Sequence, residues 1–358
     1  MDALPWFAAL PAVQRADVGL VVQAGIAAFT AWLRDAADAP PPAPAPEVFG
    51  VAPRDLTRSV SLKQTVQLIR VVVGVLEEHV PTLAAAGGEP ELREAVLRYS
   101  REIAFAAAEI YAAAAEARGA WDARLESSVV EALVRDQVGD QTLSRASSLG
   151  WGQPTWVTAV VARLPSGPTE AILDALRGQA RHSGLFVLTG EAGGGLVVVV
   201  GGKGKRTTAV KQVVASLPDG PVILGPVVDD LISAGRSVQE ALAGLSAVAA
   251  WPEAPRPTFS GDLLAERVVL GDETARARLL EEVYEPLESA GGDLLVTAAA
   301  FLAAGGSLEA TARALFVHAN TVRYRLRKVV DLVGLDLTAP RGAQVAWLTL
   351  VLGRARNL

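Results

Sequence analysis

The apolar residues of this chain change their period twice, and those changes limit what the chain can become. From the start to about Arg118 they recur at three and four residues, as at Val18, Val21, Val22, Ile26 and Phe29, the spacing of helices with one buried stripe. Between Trp151 and about Trp251, β-branched runs at Trp156 to Leu164 and Leu196 to Val200 alternate with helical spacing at Thr169 to Gln179 and Val210 to Leu217. From Asp262 onward the text is helical again. A chain of 358 residues also exceeds what one hydrophobic core serves. The expected fold class is therefore multidomain α and α/β. It comprises an N-terminal helical bundle (1–118), a connector helix (119–150), a central mixed-sheet α/β domain (151–257) and a C-terminal all-α domain (258–358).

Punctuation refines these boundaries. Five prolines among the eight residues from Ala39 to Pro46 read as a stiff extended connector. Pro81 and the pair Gly87 and Gly88 are expected breaks between a helix at Leu62 to His79 and a long one running from Leu92 to about Val134. That long helix is the natural connector and a candidate dimer seam. In the middle domain, strands Leu185 to Leu188 and Leu196 to Val200 flank so short a Gly-rich turn that they must run antiparallel. A further strand at Val222 to Leu224 and a helix from Val238 follow, and the Pro-rich piece from Trp251 to Pro257 marks the second boundary.

Composition excludes several chemistries. With no cysteine there are no disulfides, Cys-ligated zinc, iron–sulfur clusters or thiol nucleophiles, and a reducing, cytoplasmic setting is expected. His79, His182 and His318 are too scattered for a histidine metal site, so neither metal nor cofactor is expected. The most apolar early stretch, Val18 to Leu33, contains Gln23 and falls short of the roughly 20 residues of a membrane span. Met1 to Ala16 lacks the basic start and apolar core of an export signal. A soluble protein with no membrane partner is the expectation. A net charge of −6 argues against coating nucleic acid over the whole surface, but it allows a local basic patch.

Such a patch lies near the C-terminus. Leu294 to Leu302 reads as an apolar helix stopped by Gly305 and Gly306. Ser307 caps a second helix with Leu308, Ala312 and Leu315 as its stripe, and Phe316, Val317 and His318 form a short connection. Asn320 is the expected N-cap of a third helix whose apolar face is Val322, Leu326, Val329 and Val330. Its remaining faces carry Thr321, Arg323, Tyr324, Arg325, Arg327 and Lys328. Two short helices with so tight a connection, the second basic, form a helix-turn-helix, whose second helix enters the major groove of double-stranded DNA. From Thr297 to Val330 five basic residues face one acid, a local +4 inside a chain otherwise at −10. Guanidinium groups suit both phosphate oxygens and the acceptor pair of guanine. Asn320, Thr321, Arg323, Tyr324, Arg325, Arg327 and Lys328 are the candidate DNA-binding residues. Small recognition units of this kind work in pairs on two half-sites, so a homodimer is expected.

The run from Ala312 to Leu326, with its Phe316-Val317-His318 turn, Asn320-Thr321 pair and Tyr324-Arg325 pair, closely resembles the C-terminal signature of PucR-type (CdaR-like) bacterial transcription regulators. Val333 to Leu337 matches how that family continues, and Asp262 to Arg267 and Tyr284 to Leu287 look like its actinobacterial branch that regulates fatty-acid synthase genes. The resemblance implies a degenerate GGDEF-like middle domain and an RsbR-like helical sensor domain at the front. It further implies promoter DNA as partner, activation of fatty-acid biosynthesis genes and a small-molecule effector. Arg341 to Leu352 would be the closing helix, packing through Val345, Leu348 and Leu352.

Other sites carry weaker signals. Lys203, Lys205 and Arg206, in a Gly-rich stretch between a strand and a helix, are candidate anion-binding residues without P-loop spacing. Glu191 to Gly195 stands where a diguanylate cyclase carries its GGDEF motif, yet the metal-binding acid and base are missing. Asp229 and Asp230, being adjacent, point apart, and no Ser or Thr has a visible base, so no catalytic residue is assigned and an enzyme is not expected. Trp6, Trp32 and Trp121 sit in helical text where core packing is the simplest role. Two alternatives stay open: a nucleotide- or acyl-ligand-binding sensor module, and a metal-dependent nucleotide-processing enzyme acting through the middle domain.

Overall fold

The computed structural model describes residues 4–35, 60–165, 167–291 and 293–356. The proline-rich connector expected at Ala39 to Pro46 lies outside the described residues. The chain forms two compact units, Met1–Asp122 and Ala123–Leu358.

The first unit contains α1 (Pro5–Ala8), α2 (Ala12–Asp35), α3 (Leu62–Leu83) and the part of α4 (Glu89–Val134) up to Asp122. A capping box starts α3: the Gln64 amide donates to Ser61 Oγ at 3.3 Å while the Ser61 amide donates to Gln64 Oε1 at 2.7 Å. Pro81 does not break α3 as expected. It lies in the last turn, where only one backbone bond is lost, and the helix closes at Leu83. Phe29, Trp32 and Tyr99 form an aromatic cluster with centroids 5.2 to 6.1 Å apart. Trp32 is thus a core residue, but Trp121 is 63% exposed, because the surrounding stretch of α4 is itself exposed. Beside the aromatic cluster, α2, α3 and α4 line a half-open, almost wholly apolar cleft of about 110 Å³, bordered by Val22, Ile26, Phe29, Leu68, Val72 and Val96 among others. Ala12–Arg34 is long and apolar enough to cross a membrane by length and composition, exceeding the shorter run read from sequence, although Val18, Phe29 and Trp32 are buried within the unit.

In the second unit, the last turns of α4 and α5 (Asp140–Ser148) precede a five-stranded sheet. Its order is β2 (Phe186–Ala192), β3 (Gly195–Gly202), β1 (Trp156–Arg163), β4 (Val222–Leu224) and β5 (Thr258–Phe259). Only β4 and β5 are parallel; the other pairs are antiparallel, giving the mixed sheet expected. Alternation on β3 sorts side chains between two cores. Val197 and Val199 join Val129, Val130 and Leu133 of α4 and Val238 and Ala241 of α8 (Ala234–Ala247). Leu196, Val198 and Val200 join Leu176 of α6 (Glu170–Ser183) and Val210, Val213 and Val214 of α7 (Arg206–Ser216). The sheet is covered on both faces, which explains its near-continuous valine runs. The β2–β3 turn is Gly193 and Gly194, at φ 55° and 73°, the left-handed pair that a two-residue hairpin requires.

The C-terminal helices are α9 (Leu264–Val269), α10 (Glu273–Leu279), α11 (Glu285–Ser289), α12 (Leu294–Ala303), α13 (Leu308–Ala314), α14 (Ala319–Val333) and α15 (Pro340–Ala355), around a third core. A π-turn at Leu280–Tyr284 joins α10 to α11, and Pro286 falls in the first turn of α11, where its missing donor costs little. On α15 the residues expected to pack, Val345, Leu348 and Leu352, are half-buried; the deepest line is Gly342, Ala346, Thr349, Leu350 and Gly353. Gly353 lets the Tyr284 ring approach so closely that a Cβ would sit 1.9 Å from it.

The segment after the Pro-rich stretch packs with the sheet, through β5 and through Leu263 in the first core. An ion network extends this joint. Glu240 on α8 is buried and meets Arg236 at 3.0 Å, Arg267 at 3.5 Å and Arg278. Arg267, 2% exposed, also reaches Asp272 at 2.8 Å and the Ser260 carbonyl at 3.3 Å. Nearby, Arg341 pairs with Glu266 and lies 4.2 Å above the Trp251 ring.

Removing one member of such a buried set leaves its remaining members incompletely compensated and opens a cavity where a fully buried side chain stood. Arg267→Ala is expected to cost about 3–5 kcal/mol in urea unfolding of the full chain; a loss below about 1 kcal/mol would contradict the account. Burial alone would raise the Asp272 carboxyl, but the Ala275 amide and the Arg267 guanidinium outweigh it and hold the group below its ordinary value. Its contribution is therefore present above the unfolded value of about 3.9 and fades as pH falls through the folded one. Asp272→Asn should flatten the acid limb of a stability–pH plot, and an unchanged limb would refute this.

Candidate nucleic-acid interface

Backbone devices set the three-helix geometry. Gly305 and Gly306, at φ 62° and 80°, end α12 as expected, with the Gly306 amide returning to the Phe301 carbonyl at 3.0 Å. Ser307 caps α13 by accepting from the Ala310 amide at 3.2 Å. The connection turns at Phe316, which has φ 55° and is 96% exposed. A left-handed backbone at a non-glycine residue costs about 1–2 kcal/mol.

His318, rather than Asn320, is the N-cap of α14: its Nδ1 accepts from the Asn320 amide at 3.1 Å. Histidine is not a favoured cap, and the neighbouring asparagine drew the expectation. Asn320 instead stands inside the first turn and accepts from Arg323 Nη1 at 2.6 Å. Val322, Leu326 and Val329 face the core as read from sequence, while Val330 is 38% exposed because it lies at the edge of that stripe.

The cations of α14 divide by direction. Arg325 turns inward: Nη1 donates to Thr297 Oγ1 at 3.1 Å and Nη2 to Asp293 Oδ2 at 3.0 Å, and its side chain is 18% exposed. It clamps α14 to the start of α12. Asp293 and Thr297 did not emerge from the sequence, since only the fold brings them opposite a residue about thirty positions on. At 100° per residue, Asn320, Tyr324, Arg327 and Lys328 project opposite the buried stripe, with Arg323 and Thr321 flanking them. Lys328 Nζ sits 5.0 Å over the Tyr324 ring, and Arg327 has no hydrogen bond or ion pair among the described residues. The outward face thus offers Arg327, a lysine resting on an aromatic ring, an arginine steadied by an amide, and an aromatic hydroxyl. That set suits phosphates and base edges.

The other candidates stand elsewhere. Lys203 and Lys205 are exposed on the loop from β3 to α7, Arg206 is the exposed first residue of α7, and Lys205, its N-cap, makes no side-chain cap. Glu191, beside the glycine hairpin, is exposed and accepts from Thr169 Oγ1 at 3.3 Å. Asp229 and Asp230 lie exposed in a bend, Asp230 accepting from the Ser233 amide at 2.8 Å. His79 and His182 each bond a carbonyl of their own helix at 2.8 Å. Among the described residues no group of three or more His, Asp or Glu converges as a metal site would require.

Comparison with known proteins places family likenesses on these elements. Residues 294–352 match the PucR C-terminal helix-turn-helix domain, and residues 135–247 match a GGDEF-like domain. Uncharacterized protein Rv2242 of Mycobacterium tuberculosis and uncharacterized protein Mb2266 of Mycobacterium bovis are each 42% identical over 364 residues, spanning 99% of this chain and 87% of theirs. The crystal structure of a regulator of polyketide synthase expression from Bifidobacterium adolescentis is similar at a TM-score of 0.60 with 31% identity. It covers 65% of this chain and 94% of that one.

The inward clamp and the outward cation should separate in stability measurements. Arg325→Ala is expected to destabilise by about 1–2 kcal/mol, because it leaves the buried Thr297 hydroxyl without its donor, while the exposed Asp293 carboxylate is resolvated. Arg327→Ala should stay within about 0.5 kcal/mol. Equal effects in urea unfolding would refute the division.

Proposed function

Because the chain belongs to the family of mycobacterial Rv2242 and ends in a PucR-type helix-turn-helix domain, we propose that it is a transcription regulator that reads promoter DNA as a homodimer. The carrying observation is α14 itself: capped, clamped by Arg325, and presenting Asn320, Tyr324, Arg327 and Lys328 to solvent. In this reading Arg327, Lys328 and Arg323 meet phosphates or guanine edges, Asn320, Thr321 and Tyr324 add polar contacts, and Arg325 holds the helix in register. Two copies on two half-sites would supply the affinity that one unit lacks.

The target genes are proposed to be those of fatty-acid biosynthesis, with the protein as activator, on the strength of the sequence resemblance. The Bifidobacterium neighbour is a regulator of polyketide synthase expression, and polyketides, like fatty acids, are assembled from acyl units. The sheet layer is read as a non-catalytic element, its glycine hairpin carrying only Glu191 as a nearby carboxylate. The apolar cleft between α2, α3 and α4 favours a slender apolar effector in the first unit, since it is walled almost entirely by aliphatic and aromatic side chains.

Salt titration of binding to a duplex selected by the full-length chain tests the DNA-reading role. Arg327→Ala should weaken binding and lower the slope of log affinity against log salt by about one. Unchanged affinity and slope would refute the assignment. Mapping the genomic sites that the protein occupies tests the gene set, and sites absent from fatty-acid loci would remove it.

A further inference from the structure

Phe316 is penalised twice by folding alone. Its backbone, at φ 55°, lies where L-residues are strained and glycine is not, and its ring is 96% exposed. Nothing in the turn needs that side chain. The turn is closed by backbone bonds, from the Phe316 amide to the Arg313 carbonyl at 3.3 Å and from the Val317 amide to the Ala312 carbonyl at 3.0 Å. Glycine or asparagine would serve the same conformation at less cost. A strained residue with an unburied aromatic ring points to a contact made outside the chain.

The surroundings identify the partner. Phe316 stands three residues before Ala319, at the end of α14 whose first turn is assigned to the groove. Leu315 and Val317 on either side of it are half-buried, and the exposed large side chains nearest in sequence are Arg313, His318, Asn320 and Arg323, a polar and cationic setting rather than the contiguous apolar patch that a protein interface would use. A single apolar ring among cations fits a polyanion with apolar flanks. We propose that Phe316 contacts the DNA directly, laying its ring against the deoxyribose carbons and thymine methyls that border the groove. The inference rests on the DNA-reading assignment of α14 and extends it to a residue outside the helix.

The contact is uncharged, which gives it a distinctive signature. On a duplex selected from a random library by the full-length protein, Phe316→Ala should weaken binding about tenfold, as the loss of a buried ring contact would. The salt slope should not change, because no phosphate ion pair is lost. Phe316→Gly should weaken binding similarly while raising the melting temperature, because it relieves the backbone. This pairing guards against a folding defect as the cause. If both variants bind within twofold of the parent while Arg327→Ala is impaired, the inference falls and the DNA-reading assignment stands. If Arg327→Ala also binds normally, both fall. If Phe316→Gly lowers the melting temperature, the strain premise is wrong and the inference is overturned.

Discussion

The carboxylate of Glu240 holds the second unit together. It projects from α8, which packs on the sheet, and it gathers Arg236, Arg267 and Arg278, the last two from the start of the helical region. Burying a carboxylate is expensive unless its acceptor sites are filled, and here several donors converge on it. Arg267 is equally dependent, since its burial is tolerable only because Glu240, Asp272 and the Ser260 carbonyl surround it. Each charge depends on the set around it, and that set spans α8 and the first C-terminal helices, which are therefore ordered together with the sheet layer. Hydrophobic burial would allow those helices to slide; a set of directional charge contacts fixes their placement.

The basic helix shows a second division of labour. Charge counting treats Arg323, Arg325, Arg327 and Lys328 alike, but helical geometry sends them to different tasks. Arg325 is spent on Asp293 and Thr297, so the local positive charge available to a partner is smaller than the count suggests. What the clamp contributes is orientation. A helix that reads base edges must be held to within fractions of an ångström, and a bidentate guanidinium between two helices does this better than apolar packing alone.

Much of the architecture was legible because it rests on local patterns. The glycine hairpin, the antiparallel β2–β3 pair, the Gly305–Gly306 stop and the Ser307 cap all follow from residues within a few positions of each other. The buried stripe of α14 was legible at Val322, Leu326 and Val329. What escaped depends on distance or on unusual chemistry. The Glu240 network joins residues 27 and 38 positions apart, and the Arg325 clamp joins helices that only the fold brings together. The His318 cap defies residue preference, and Pro81, expected as a break, sits in the last turn of α3, where only one backbone bond is lost. Trp121 looked like core text but lies on an exposed stretch of helix.

The last turns of α4 have a consequence for how such chains diversify. Val129, Val130 and Leu133 belong to the sheet's own core, and buried Glu126 accepts from the Thr189 amide at 2.7 Å and from Arg177 at 2.6 Å. The sheet therefore borrows a structural part from a helix that begins in the preceding unit. Recombination that exchanged the front of the protein at the loop after α4 would strip this part away, leaving a hydrophobic trough and an Arg177 that keeps Asp174 but loses its buried carboxylate partner. A viable exchange has to splice inside the helix itself, so the natural seam for shuffling modules is a stretch of continuous secondary structure rather than a linker.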